Sequence, residues 1–129
     1  MPGEDKRLSP GEASLFHHYV ACVAPMLLPL DDTGNPWSTY PAMALHYSSA
    51  GQKYLLYALL AHAAIFRANI GSDTEKMLAE GGTYYILAME ELRKSLEEDN
   101  VDYVGLLTTM MTFLFIEASP NSFYLLNIQ

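Results

Sequence analysis

Apolar residues recur at helical spacing along most of this chain, and the pattern predicts five helices and no sheet. The first predicted helix opens with Ser9-Pro10-Gly11-Glu12, the pattern of a capping box with proline at the first helical position. A short second helix follows Tyr40-Pro41. The first helix ends before Pro25, and its apolar band is Leu15, Phe16, Tyr19, Cys22 and Val23. The predicted fold class is all-α.

The third predicted helix is the most apolar segment of the chain and reaches about Asn69. Ser49-Ala50-Gly51-Gln52 has the pattern of a second capping box that starts this helix, and Gly71 is its predicted C-terminal stop. Because the helix is apolar on nearly every side, we expect it to be the central element of the core.

The fourth predicted helix begins with Ser72-Asp73-Thr74-Glu75, a third capping pattern. Gly81-Gly82 lies inside this helix, where each glycine costs about 1 kcal/mol relative to alanine. The pair therefore indicates either a kink or close packing against a neighbouring helix. The inner stripe of the helix is predicted to be Leu78, Tyr85, Met89, Leu92 and Leu96.

The fifth predicted helix begins after Asp99-Asn100, runs from Val101 to about Ala118 and stops before Pro120. Its hydroxyl groups can bond to carbonyls one turn back, so its polar strip need not face water. That strip consists of Thr108, Thr109 and Thr112.

A proline-punctuated segment separates the first two helices and is the most distinctive part of the sequence. Pro25 and Pro29 lack amide hydrogens and cannot continue a helix, so we expect the apolar residues around them to be extended and pressed onto the core. Asn35-Pro36 has the pattern of an N-cap followed by the first helical position. We expect Trp37, which follows this turn, to pin the segment to the helices.

Together with the helices that follow, this segment resembles the fungal-specific transcription factor regulatory domain, the helical region of fungal binuclear zinc-cluster transcription factors. The likeness covers roughly residues 15 to 117 and corresponds to the N-terminal part of that domain only. The resemblance implies a larger helical domain, of which this chain would hold the first part. The residues that carry it are His18-Tyr19, Val23-Ala24-Pro25, Leu28-Pro29, Asn35-Pro36-Trp37, Leu55-Leu56, Ala58-Leu59-Leu60-Ala61, Tyr84-Tyr85 and Ala88.

The resemblance further implies a nuclear protein that acts in transcription regulation through protein or effector contacts. The zinc cluster of the family has six cysteines, whereas this chain has only Cys22. A zinc cluster would therefore belong to a missing upstream domain, and we expect no cofactor in this chain. The structural or interaction candidates are Pro25, Pro29, Asn35, Pro36, Trp37, Tyr84 and Tyr85.

The charge balance argues against direct contact with nucleic acid. The 129 residues carry a formal net charge of −8, and DNA affinity comes largely from Lys and Arg side chains that neutralise phosphates. Half of the residues are hydrophobic and only 17% are charged, a low charged fraction for a globular domain. This apolar excess indicates a protein surface that packs against further protein.

A membrane span is not expected in this chain. The longest apolar run, Tyr54 to Phe66, spans about 20 Å as a helix, whereas a bilayer core needs about 30 Å. The first ten residues are polar and contain no signal-peptide core. Apart from the nuclear location that the resemblance implies, these features indicate a soluble intracellular protein.

No residue pattern in the sequence points to catalysis or to a metal site. The common nucleophile, metalloprotease, phosphate-loop and dinucleotide-binding motifs do not occur. His18 and Cys22 have a spacing that would suit two metal ligands, but a zinc site needs about four. We expect His62 to be hydrogen-bonded to a neighbour, with a pH-sensitive or ligand-contacting role as the alternative. We predict a non-enzymatic protein with no catalytic, cofactor-binding or metal-binding residue.

These patterns divide the chain into a disordered N-terminus (1–9), a helical domain (10–118) and a divergent tail (119–129). The tail lacks the Trp-containing helix of the resembled family and fits either truncation, which we favour, or a genuine short protein. The leading hypothesis is a fragment or short form of the regulatory domain, with other proteins or the remainder of that domain as partners. The alternative is an independent helical interaction or dimerisation module, which could form a homodimer.

Overall fold

The computed structural model describes residues 8–24, 39–71 and 73–119, and these residues form helices and no strand. The all-α prediction is confirmed. Within the described part of the chain, no helix is long and apolar enough to cross a membrane. The predicted N-terminal and tail regions lie largely outside the described residues. The helices are α1 (Pro10–His18, continued by a π-helical turn at Tyr19–Val23), α2 (Tyr40–Ser49), α3 (Tyr54–Asn69), α4 (Thr74–Glu97) and α5 (Tyr103–Glu117).

Helix α3 is the centre of the fold, as its composition predicts. Twelve of its sixteen residues are buried, among them Leu55, Leu59 and Leu60. Helices α1, α2, α4 and α5 all pack against it, and the most extensive of these contacts is with α4. The other four helices therefore surround α3, and each of them is positioned by its contact with it.

The capping box predicted at the start of α1 is present. The Ser9 hydroxyl accepts a hydrogen bond from the Glu12 amide (3.2 Å), and the Glu12 carboxylate accepts one from the Ser9 amide (3.0 Å). Pro10 occupies the first helical position, where its missing amide hydrogen costs no helical bond. The predicted start of α1 is confirmed.

The predicted apolar band of α1 is wrong at Cys22. Leu15, Tyr19 and Val23 are each 1% exposed, whereas Cys22 is exposed. In a regular α-helix with 3.6 residues per turn, residues at spacing four point in successively rotated directions. A π-helical turn holds more residues per turn, so it reverses part of this rotation. The π-helical turn therefore keeps Leu15, Tyr19 and Val23 on the buried side and leaves Cys22 outside.

The residues from Ser49 to Gln52 end α2 and do not start α3. The Gly51 and Gln52 amides donate to carbonyls in the last turn of α2 at 3.0 and 2.8 Å, and Gly51 has φ +86°. This is a Schellman motif, in which glycine takes the left-handed position after the helix. The capping box predicted here is wrong, because the Ser49 hydroxyl bonds to the His46 carbonyl (2.7 Å) and α3 begins at Tyr54 without a side-chain cap.

The end of α3 is predicted correctly, and the start of α4 only in part. Gly71 follows α3 with φ +87°, and its amide donates to the Ala68 carbonyl (3.1 Å). Ser72, the predicted cap of α4, lies outside the described residues. Asp73 precedes α4 and makes no side-chain capping bond.

Asp99 ends α4 and does not start α5. It has φ +54°, and the amides of Asp99 and Asn100 donate to carbonyls in the last turn of α4 at 3.2 and 2.7 Å. Asp99 thus occupies the Schellman position that glycine usually takes. Helix α5 begins at Tyr103 with Asp102 as its N-cap, so the predicted start after Asp99-Asn100 is wrong.

The face of α4 that packs on α3 differs from the predicted stripe. Tyr85 is buried and Leu78 and Leu92 are half-buried, but Met89 and Leu96 are 43% and 49% exposed. Several of the buried positions of α4 hold small residues, while the larger Met89 and Leu96 lie outside the buried face. The buried residues of α4 are Met77, Gly81, Gly82, Tyr85, Ala88 and Ser95.

Gly81 lies directly against α3. A β-carbon at this position would come within 2.6 Å of Ile65 Cδ1 and 3.5 Å of Ala64 Cβ. Ile65 is 1% exposed, so a β-carbon at position 81 would require its side chain to shift within the core. Of the two interpretations of the glycine pair, close helix packing is the one that the contacts of Gly81 support.

Replacing Gly81 by Ala should lower the free energy of unfolding by about 1 kcal/mol, because displacing Ile65 costs about 2 kcal/mol against a helix-propensity gain of about 1 kcal/mol. Chemical denaturation measures this change. Gly11→Ala in α1 is the matched control, since a β-carbon there meets nothing within 4 Å and should be neutral or stabilising. Ile65→Val removes the closest methyl group, and an undiminished Gly81→Ala penalty in that background would contradict the explanation.

Candidate functional site

Helix α5 lies with its smallest and most polar side on α3. Thr108, Thr109 and Thr112 are 6%, 0% and 1% exposed, and Gly105 and Ile116 are buried beside them. Each threonine hydroxyl donates to the carbonyl four residues earlier, at 2.7, 2.7 and 2.9 Å respectively. The predicted bonding to carbonyls one turn back is confirmed, and it allows the threonines to be buried without an unsatisfied hydroxyl.

The opposite side of α5 is apolar and faces outward. Its exposed large apolar side chains are between 40% and 78% exposed. Exposed apolar residues that occur singly are ordinary, but a contiguous row along one helix is typical of an interaction surface. We call this surface the α5 apolar face, and it consists of Tyr103, Val104, Leu107, Met110, Met111 and Leu114.

Asp102 fixes the N-terminal end of α5. One of its carboxylate oxygens accepts hydrogen bonds from the Val104 amide (2.8 Å), the Gly105 amide (3.3 Å) and the Tyr47 hydroxyl (3.1 Å). These bonds, led by that of the Gly105 amide, lower the pKa of Asp102 below its usual value. The Asp102 amide also donates to the Tyr54 hydroxyl (3.4 Å). The first turn of α5 is thereby tied to both α2 and α3.

Gly105 allows α5 to approach the same two tyrosines. A β-carbon at this position would come within 2.8 Å of Tyr47 Cε2 and 3.1 Å of the Tyr54 hydroxyl oxygen. The Tyr54 hydroxyl in turn donates to the Gln52 side chain (2.8 Å). A larger residue at position 105 would push the start of α5 away from this hydrogen-bonded cluster.

Tyr85 fixes the C-terminal end of α5 to α4. Its hydroxyl donates to the Glu117 carboxylate (2.6 Å), and its ring meets Phe113 edge to face with centroids 5.2 Å apart. Burial, followed by the hydrogen bond and charge of Glu117, raises the pKa of Tyr85 well above its usual value. With both ends held, rotation of α5 about its axis would break contacts at Asp102 and at Glu117.

Of the interaction candidates identified from the sequence, the structure describes Tyr84 and Tyr85. Tyr84 is half-buried and stacks on Tyr57 of α3 with ring centroids 6.1 Å apart, whereas the neighbouring Tyr85 contacts α5. Both tyrosines serve helix packing here. The other candidates, Pro25, Pro29, Asn35, Pro36 and Trp37, lie outside the described residues, and their roles stay predictions.

His62 lies in α3 beneath the end of α5 and is 7% exposed. Its ring stacks on Phe115 and meets Tyr19 edge on, with centroid distances of 5.9 Å in both cases. The hydrogen bond that we expected is not formed at Nδ1, which has no partner among the described residues. Burial lowers the pKa of His62 to about 4, so the ring is neutral near pH 7.

Potential metal ligands do not converge in the described residues. No group of three His, Cys, Asp or Glu side chains is placed there to hold a metal ion. His18 and Cys22, the pair with the spacing of two metal ligands, lie in different environments. His18 Nε2 is buried and the His18 ring contacts Phe66, whereas Cys22 is exposed. The geometry of this pair gives no support to a metal site.

Comparison with protein families places the chain among regulators of transcription. A family model described as the fungal specific transcription factor domain matches residues 14–124, which is most of the chain. The chain belongs to the fungal specific transcription factor domain family. This membership supports a role in transcription regulation, and the family is not one of enzymes. No curated protein and no solved structure matches the chain.

The sequence patterns alone did not predict the α5 apolar face. The threonine strip is visible in the sequence, but threonines bonded to their own helix fit either a buried or an exposed position, so the strip alone does not show which side of α5 is buried. A usable signal was Gly105 four residues before Thr109, since small residues at that spacing line one side of a helix. That side can pack closely, which leaves the larger residues to face outward.

Acidification should weaken the fold through His62. Its pKa is lowered on folding from 6.5 to about 4, so the unfolded chain binds a proton more readily than the folded protein below pH 6.5. The free energy of unfolding should therefore be unaffected by His62 above pH 6.5 and fall by about 3 kcal/mol as the pH drops towards 4. His62→Phe keeps a ring and removes the titrating group, and should remove this part of the pH dependence in denaturation measured from pH 7 to 4. The matched control is His46→Gln at an exposed position, which should keep the loss of stability on acidification because His62 is unchanged. Equal pH dependence in all three proteins would contradict the prediction.

Proposed function

We propose that this protein acts in transcription regulation as a fragment or short form of a fungal transcription factor regulatory domain, through protein contacts made by α5. The observation that carries the proposal is the α5 apolar face, an outward row of large apolar side chains on a helix fixed at both ends. A surface of this kind in a member of a transcription factor family supports assembly with other regulatory protein.

The α5 apolar face suits another helix as its partner. Val104, Leu107, Met111 and Leu114 recur every three or four residues, the spacing at which side chains of one helix fit between those of another. None of the residues of this face is charged, and its two methionines can adapt to an irregular partner. The occupant we propose is an apolar helix from the remainder of a fungal regulatory domain.

The anchoring of α5 reduces the cost of such a contact. The bonds of Asp102 and the bond between Tyr85 and Glu117 hold the helix in one orientation before a partner binds. A surface that is already ordered loses less conformational entropy on binding than one that must be ordered. The α5 apolar face is therefore a preformed docking surface.

DNA contact belongs, in this proposal, to another domain or another protein. From Asp73 onward the sequence has ten acidic and three basic residues, which disfavours a surface that follows phosphates. The protein does not catalyse a reaction, carries no cofactor of its own and acts in the nucleus. Its partners are proteins, and a second copy of the chain is the alternative partner.

Fusion to a heterologous DNA-binding domain in a fungal reporter strain tests the proposal. We expect the wild-type fusion to change reporter transcription and the Leu107→Glu, Met111→Glu double variant to return it to the level of the DNA-binding domain alone. The reason is that two carboxylates on the α5 apolar face cannot be buried against an apolar helix without a large cost. Transcript levels measure the effect.

The matched control is Met89→Glu with Leu96→Glu, which makes the same two changes at exposed positions of α4. It should keep the wild-type reporter effect, and circular dichroism should show equal helicity for both double variants. Equal reporter effects in the two variants would contradict the proposal. A homodimer in sedimentation velocity that only the α5 variant dissociates would instead favour the dimerisation alternative.

A further inference from the structure

We propose that the outer side of α4 is a contact between two copies of this chain, which pair antiparallel about a two-fold axis. Met89 and Leu96 are 43% and 49% exposed, and the half-buried Ile86 lies about one helical turn before Met89. Glu90 and Arg93 are exposed beside them. We call this surface the α4 strip, and it consists of Ile86, Met89, Glu90, Arg93 and Leu96.

The spacing of the α4 strip is that of a helix that packs lengthwise against another helix. Ile86, Met89, Arg93 and Leu96 follow one another at intervals of three, four and three residues, the alternation found in coiled coils. Ile86, Met89, Glu90 and Arg93 also line one depression in the surface of α4, so they share one side of the helix. Side chains of a second helix can fit between residues arranged in this way.

The order of the residues makes the α4 strip complementary to itself. The midpoint of Ile86 and Leu96 is position 91, and the midpoint of Glu90 and Arg93 lies between positions 91 and 92. In an antiparallel pair of helices that meet at this point, Ile86 faces Leu96 of the second copy, and Glu90 faces Arg93 of the second copy. Because a two-fold contact uses the same patch on both copies, each of these pairs forms twice.

The charges of the α4 strip favour a second copy in the antiparallel direction. Glu90 and Arg93 each meet an opposite charge in this arrangement, whereas a parallel pair would place like charges opposite each other. The aliphatic stem of Arg93 can cover Met89 of the second copy while its guanidinium stays at the edge of the contact. The α5 apolar face contains no charged residue and so has no such self-matching pattern.

The contact adds to the proposed function and does not depend on it, since no residue of the α4 strip belongs to α5. The α4 strip from Ile86 to Leu96 extends over about 15 Å of helix. Contacts of this size lie at the low end of protein interfaces, where complexes are transient. We therefore expect a weak, concentration-dependent dimer.

Charge reversal tests the antiparallel pairing in sedimentation equilibrium at protein concentrations of about 5 to 500 µM. We expect the wild-type chain to dimerise and the single variants Glu90→Arg and Arg93→Glu to self-associate at least about tenfold more weakly, because both ion pairs become like-charge contacts. An equal mixture of the two single variants should dimerise about as strongly as the wild type, since opposite charges then meet at both pairs.

The two double variants of the reporter experiment test the apolar part of the contact. Met89→Glu with Leu96→Glu should abolish the dimer over the same concentration range, whereas Leu107→Glu with Met111→Glu, on α5, should dimerise like the wild type. Circular dichroism shows whether each variant keeps its helices. The α4 double variant should therefore lose the dimer and keep the reporter effect.

The proposal is overturned if the wild-type chain stays monomeric over this range, or if the mixture associates no better than either single variant alone. It is also overturned if the α4 double variant dimerises like the wild type, or if only the α5 variant dissociates the dimer. Because sedimentation involves no transcription, such a failure would leave the reporter experiment as a separate test of the proposed function.

Discussion

The packing of three threonines of α5 against α3 is the interaction on which the arrangement of this protein depends. Thr108, Thr109 and Thr112 return their hydroxyl hydrogen bonds to their own helix, and Thr108 is also hydrogen-bonded to Tyr40 of α2. These bonds satisfy the hydroxyl groups without water. The small size of the three buried side chains lets α5 lie close to α3. A helix with larger residues on that side would have to stand further away, and Gly105 could not meet Tyr47 and Tyr54.

The candidate protein-binding surface on α5 is a consequence of this orientation. With the threonines inside, the large apolar residues of α5 face outward and form the α5 apolar face. The proposed protein contact of α5 therefore depends on the inward orientation of its threonines.

Local patterns predicted much of the fold, but close approaches between helices decided the site. The apolar α3, the capping box at Ser9 and the stop at Gly71 each follow from a few neighbouring residues and were predicted correctly. Asp99 was misread because aspartate favours helix starts, whereas here it takes a left-handed position after α4. The contact of Gly81 with Ile65 depends on a second helix, so the glycine pair alone indicated either a kink or close packing and could not decide between them.

The most direct test of this account is the reactivity of single cysteines on α5 in a Cys22→Ser background, which removes the exposed native thiol. Leu107→Cys and Thr109→Cys place a thiol on opposite sides of the helix, at positions 64% and 0% exposed in the native protein. The account predicts that a maleimide modifies Cys at 107 rapidly and Cys at 109 at least about tenfold more slowly, because reaction at 109 requires local opening. Equal rates, or faster reaction at 109, would contradict the inward orientation of the threonines.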